Sequence, residues 1–363
     1  MERSYNITLK IIDILCFILY KKKMINFRND YCGIGHEKIL DALIKYKNKT
    51  YVGYGLDERS KNAELLIKKE IDNDSADIHF LPGGTICNKI VISHLLKPYE
   101  AVISANSGHI NVHETGAIEE AGHKILSVNN TNGKLTCEDI LKVLDEHTNE
   151  HMVKPKMVYI SFPTEFGTLY KKEEIEAISR LCKENGLYLY LDGARLAAGL
   201  TAKDNDVNIK DLAKYCDVFY IGGTKNGLLF GEAVVICNDE LKDYFRYNIK
   251  HYGGMIAKGF VTGIMFEELF SNNLFYEIGK IQNELAYYLT NELLKIGVKL
   301  YTKTESNQVF VVFKTEIIKE LEKEISFEVW NQDESETVIR FVCHYLHKKE
   351  DIDKAIDIIK KIK

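Results

Sequence analysis

The 363-residue chain predicts an α/β protein, with a large domain built on a mostly parallel sheet and a small α+β domain after it. Three observations predict this. Between about residues 85 and 240, short apolar runs alternate with amphipathic stretches of helical period. The runs are continuously apolar, as suits strands covered on both faces. After about residue 280 the pattern changes to several strand-like runs separated by helices, the mark of a second, smaller unit.

Taken in order, "TICNKIVISHLL" reads as a helix, and "EAVISAN" and "KMVYISF" as strands. "KKEEIEAISRLCKENG" is an amphipathic helix with Gly186 at its C-terminal end. "LYLYLDGA", "CDVFYIGG" and "EAVVICN" are further buried strands. Beyond residue 240, helical segments run through "NELAYYLTNELLKIG". The small domain follows with strands in "VKLY", "QVFVVF", "ISFEVW" and "TVIRFVC", and helices in "IIKELEKE" and "EDIDKAIDIIKKIK". The expected division is a large domain over 24–280 and a small one over 281–363, with a ligand cleft between them. Residues 1–23 are expected to be an extension outside the fold. Their apolar run is broken by Lys10 and Asp13 and is followed, not preceded, by three lysines. That pattern suits neither a membrane span nor a signal peptide.

Composition narrows the function classes. A net charge of −5 gives no broad surface for nucleic acid. The eight cysteines form no C-x-x-C pair, so reduced thiols and a cytoplasmic setting are expected. No Cys/His spacing suits a zinc site.

Four features stand at or just after strand ends, where open α/β sheets place their ligands. "LPGGTICNK" puts Gly83, Gly84 and Thr85 at a helix start, whose free N–H groups and dipole suit an anion. It lacks the Walker A spacing, and the plain alternative is a glycine turn with a threonine cap. "YLDGARL" ends a buried strand on Asp192, a carboxylate that needs a cation, either Arg195 or a ligand. "YIGGTKNG" sets Lys225 just past a strand. Such a lysine is ordinarily solvated, but a desolvated one has a lowered pKa and becomes a usable nucleophile. "SGHINVHETGAIEEAGHKI" carries His109 and His113 four residues apart, with Glu114 adjacent in sequence rather than facing them. A metal would lack its third ligand, so no metal is expected, and a ring stacked on a flat cofactor is the better reading. An anion cradle, a buried carboxylate and a strand-end lysine, in that order, are the parts that pyridoxal 5'-phosphate requires.

With these residues assembled, the chain resembles the threonine aldolase/β-eliminating lyase family of fold-type I pyridoxal-phosphate enzymes, from about residue 26 to the C-terminus. "NFRNDYCGIG" resembles that family's opening strand, "YVGYGLDERSKNAEL" its Tyr-Gly-x-Asp segment and "GGTICNK" its phosphate loop. "LDGARL" and "GGTKNG" match most closely, and "VIRFV" resembles its C-terminal arginine segment. The resemblance implies a seven-stranded, mostly parallel sheet of the pyridoxal-phosphate-dependent transferase type. It implies Lys225 as the Schiff-base lysine, Asp192 as the partner of the pyridine nitrogen, His109 as the stacking ring, and Gly84 and Thr85 as phosphate ligands. Arg195 would serve the cofactor and, with Arg340 and Asn29, the substrate carboxylate. Asn29 stands where the family often has serine, and Glu165 where it often has histidine. The base for a β-hydroxyl proton is then Glu165, His109, His113 or a water.

The implied activity is cleavage of threonine or allo-threonine to glycine and acetaldehyde. The alternatives are β-elimination or transamination on another amino acid, or a silent cofactor-binding protein. The implied assembly is a homodimer or homotetramer with shared sites, to which Tyr54, Lys250 and Lys258 would contribute across the interface. No membrane partner is expected.

Overall fold

The computed structural model describes residues 24–130 and 132–363, so the expected extension over 1–23 lies outside the described residues. The strand β1 (Ile25–Asn26) opens the described chain. Seven strands then make the central sheet: β2 (Asp77–Leu81), β3 (Glu100–Ala105), β4 (Ile125–Val128), β5 (Lys154–Ser161), β6 (Tyr188–Asp192), β7 (Val218–Gly222) and β8 (Glu232–Ile236). Their order is β2-β8-β7-β6-β5-β3-β4. The ladders from β7 to β4 are parallel, whereas β8 runs antiparallel to both its neighbours, β2 and β7.

Alternation within the strands sorts side chains into two cores. Val158, Ile160, Leu189, Leu191, Phe219 and Ile221 enter one. Tyr159, Tyr190, Val218 and Tyr220, one position out of phase, enter the other. On the first face lies the helix Lys172–Glu184, which buries Ile175, Ile178, Ser179 and Cys182 at spacings of three and four. On the second lies the helix Gly84–Leu95, buried on most sides.

A smaller sheet is formed by β9 (Lys299–Leu300), β10 (Gln308–Lys314), β12 (Glu328–Gln332) and β13 (Glu336–Val342), in the order β12-β13-β10-β9. The helices Leu274–Lys295 and Lys349–Ile362 pack on it through a third core. Two expectations change here. "ISFEVW" is not one strand: β11 (Ile325–Ser326) leaves to pair with β1, and only Glu328 onward joins the small sheet. The opening strand is likewise short. After Asn26 the chain turns irregular, because Asp30 is drawn into the interior by Arg195 and Asn307.

Candidate active site

Strand register collects the site at one end of the large sheet. Leu81 and Gly222 both pair with Glu232, and Ser161 pairs with Asp192. Each of these is the last residue of its strand, except Glu232, which begins the reversed β8. The loops beyond them carry Gly84, Glu165, Arg195 and Lys225 to the same edge, and β3 delivers His109 beside them.

Asp192 is buried, and its hydrogen-bond partners are neutral. The hydroxyls of Tyr159 and Tyr220 donate to it at 2.6 Å each, the Ala194 N–H at 2.9 Å and the Asn88 amide at 3.4 Å. Burial first, and the Asp192 charge second, push both tyrosines up, so they remain protonated donors. Arg195 does not pair with Asp192. Its guanidinium forks onto Asp30 at 2.7 and 3.0 Å. Burial alone would raise the Asp30 carboxyl, but Arg195 and Lys225 outweigh it and hold it low.

His109 begins a short helix, and its Nδ1 donates to Glu114 Oε1 at 2.8 Å. Glu114 therefore faces His109, contrary to the sequence expectation, because the helix stops at Val112 and the chain turns back at His113. The Asn88 amide donates to the same oxygen at 2.6 Å and accepts from Tyr190 at 2.8 Å. A continuous chain of hydrogen bonds thus runs from His109 through Glu114 and Asn88 to Asp192. The rings of His109 and His113 lie 5.4 Å apart. Among the described residues no group of three or more His, Cys, Asp or Glu could hold a metal ion.

A cavity of about 230 Å³ is lined by Tyr31, His109, His113, Glu165, Arg195, Lys225, Glu328 and Arg340. Burial, reinforced by the Arg195 charge, lowers Lys225 to about 8. Burial raises Glu165, whose Oε1 accepts from Ser161 Oγ at 2.7 Å and from the His109 N–H at 3.0 Å. Burial also lowers Arg340. Asn29 is not among the lining residues; its side-chain oxygen accepts from the Tyr31 N–H at 3.2 Å. Tyr54 and Lys250 are also elsewhere, lining a surface depression with Leu56, Arg246, Tyr247 and Met255. Lys258 follows Ala257, whose carbonyl accepts from the Tyr54 N–H.

Sequence reasoning missed Asp30, Asn88, Tyr159, Tyr220, Glu232 and Glu328, and set Glu114 aside. Only the tyrosines carried a usable signal: Tyr190 stands two positions before Asp192, and Tyr159 and Tyr220 sit at matching phase on flanking strands. Glu232 opens a run read only as a strand. It accepts from the Gly223 N–H at 2.7 Å, directly under the Lys225 turn. Burial pushes it up to about 7.

These residues fit pyridoxal phosphate. A buried carboxylate surrounded by neutral donors suits a protonated ring nitrogen, and a desolvated lysine suits the aldehyde. Gly83 caps the helix Gly84–Leu95 without a side-chain bond, and a Cβ placed on it would meet nothing within 4 Å, which leaves room for a phosphate. A Cβ on Gly84 would press to 3.2 Å from the Tyr220 hydroxyl, so the cradle and the Asp192 cluster adjoin.

Fold and site together define a pyridoxal-phosphate-dependent enzyme of fold type I. A sequence profile of the beta-eliminating lyase family matches residues 27–316. The chain is 32% identical over 289 residues to a low-specificity L-threonine aldolase of a Pseudomonas species, covering 78% of this chain and 82% of the relative. A threonine aldolase of Leishmania major superposes with a TM-score of 0.91 at 41% identity, over 93% of this chain and 99% of that one. An aspartate aminotransferase of Thermotoga maritima shares the fold, with a TM-score of 0.74 at 16% identity over 98% of this chain and 96% of that one. The chain belongs to the beta-eliminating lyase family.

Proposed function

We propose that the protein cleaves β-hydroxy-α-amino acids, threonine and allo-threonine among them, to glycine and an aldehyde. The observation that carries this reading is one cavity lined by a desolvated amine, two carboxylates and two guanidiniums, in a chain similar to threonine aldolases. When bound, pyridoxal phosphate supplies the electron sink for the pair released as the Cα–Cβ bond breaks.

The chain's own residues do the rest. Lys225 would offer a largely desolvated amine to the aldehyde of the cofactor. Asp192 would keep a proton on the ring nitrogen, and Gly84 and Thr85 would hold the phosphate. His109, held by Glu114, would cover the ring. Arg340 and Arg195 grip the substrate carboxylate, a task suited to the guanidinium fork, whereas Asn29 lies outside the cavity lining. Glu165 takes the β-hydroxyl proton. Its Oε1 is engaged by Ser161 and His109, which leaves Oε2 for the substrate, and burial brings it nearer to working pH.

Release of glycine and acetaldehyde from threonine, rather than ammonia and pyruvate, tests the reading against β-elimination and transamination. Lys225→Ala should abolish the reaction, and Glu165→Gln should slow it by about 10²–10⁴-fold. Full activity without Lys225 would refute the assignment. We place the enzyme in the cytoplasm, in keeping with its seven free thiols among the described residues. The assembly is a homodimer or homotetramer, with Tyr54, Lys250 and Lys258 reaching a neighbouring subunit's site. The exposed Tyr54, Leu56 and Tyr247 around them support that reading.

A further inference from the structure

Arg340 already holds a carboxylate. Glu328 Oε2 accepts from Arg340 Nη2 at 2.9 Å, the two residues face each other across the β12–β13 ladder, and both line the cavity beside Lys225. The Arg340 side chain is 11% exposed and that of Glu328 39%. Arg340 also donates from Nη1 to Gln308 at 3.1 Å and lies against Trp330, 5.3 Å from the ring centroid. Its Nε–H is buried without a partner. The guanidinium assigned above to the substrate carboxylate therefore carries an internal carboxylate and an idle donor next to it.

We propose that Glu328 is an internal counter-ion that occupies Arg340 in the free enzyme and yields it to the incoming substrate carboxylate. The inference rests on the carboxylate-binding role given to Arg340. A buried guanidinium close to a second one, Arg195, is strongly disfavoured without an anion. Exchanging one carboxylate for another conserves the ion pair, so a simple carboxylate gains little by entering. An amino acid gains more, because its amine also engages the cofactor. Glu328 is thus a specificity-determining residue that keeps plain hydroxy acids out. Its greater exposure gives it a place to go when displaced.

The test uses the cofactor-loaded protein and β-hydroxybutyrate, which has the carboxylate and hydroxyl of threonine but no amine. Binding is followed by the fluorescence of Trp330, the single tryptophan of the chain. Glu328→Gln, which removes the charge at constant size, should bind the probe about tenfold more tightly than wild type, as follows if the internal pair is closed in roughly nine-tenths of free molecules. Arg340→Lys should weaken binding. Glu328→Asp keeps the charge, so it should show no tightening, which separates charge from folding defects. Unchanged or weaker binding by Glu328→Gln would overturn the proposal, and so would undiminished binding by Arg340→Lys. Threonine cleavage by the wild type is read separately, so failure of the aldolase reading and failure of this one remain distinguishable.

Discussion

Glu232 shows how one buried side chain ties pH to stability. Its neighbours in register are the ends of β2 and β7, and it holds the Gly223 N–H at the base of the Lys225 turn. Its carboxyl rises from an ordinary 4.5 to about 7, chiefly through burial. Between those two values the folded protein keeps a proton that the unfolded chain has lost. The stability this group contributes is therefore fully present below about pH 4.5 and declines as pH rises through about 7. Glu232→Gln should remove that decline. Comparing thermal midpoints at about pH 5.5 and about pH 8, the difference between variant and wild type should move in the variant's favour at the higher pH. Asp192, Lys225 and the Gly84–Thr85 turn were legible in the sequence because each sits at the end of its own local pattern. Asp30, Glu114, Glu232 and Glu328 were not, since what gives each a role is a partner on another element, such as Arg195 for Asp30 or Arg340 for Glu328.

Among the elements, the ends of β6 and β7 are packed most tightly where the site is built. A Cβ on Gly222 would lie 2.2 Å from the Ala194 carbonyl oxygen and 2.8 Å from that of Gly193, both fixed backbone atoms. Gly222→Ala should therefore cost about 1–3 kcal/mol or more and displace the Lys225 turn. Thermal denaturation checks this, with Gly83→Ala as the reference, because a Cβ there meets open space and stability should stay near wild type. The small sheet shows the opposite device. Val329 pairs with Ile339 and Asn331 with Val338, so Trp330 is the extra residue of a β-bulge, which turns its ring onto Arg340, Phe166 and Phe310. A strand within "ISFEVW" was visible in the sequence, though not its start at Glu328. The bulge was not, because it exists only relative to the register of β13.

For the whole molecule, alternating apolar runs and amphipathic helices were enough to anticipate a mostly parallel sheet and a smaller second unit. Strand order was beyond such reasoning, since it depends on pairings between distant segments, and so was the split of 325–332 between two sheets. The outer surface carries its own consequence. Tyr244 and Tyr247 are 76% and 77% exposed, beside Tyr54 and Leu56. An exposed apolar patch of this kind is typical of an association surface. Tyr247→Asp should shift the protein to a smaller species in size-exclusion chromatography with light scattering and lower glycine production with it. An unchanged mass would place the contact elsewhere.

The reversed strand β8 also sets an order of assembly. β2 leads into the Gly83–Gly84 turn, yet among the described residues its only partner in the sheet is β8, and Leu81 meets Glu232. Five of the seven strands, β3 to β7, lie between those two residues in the chain, and β2 waits unpaired while they are made. Closure over such a sequence separation is slow. A nascent chain that has not yet reached Ile236 therefore leaves β2 unpaired and β7 as an open edge. The strand that leads into the Gly83–Gly84 turn is thus the first of the seven to be made, and its partner is the last.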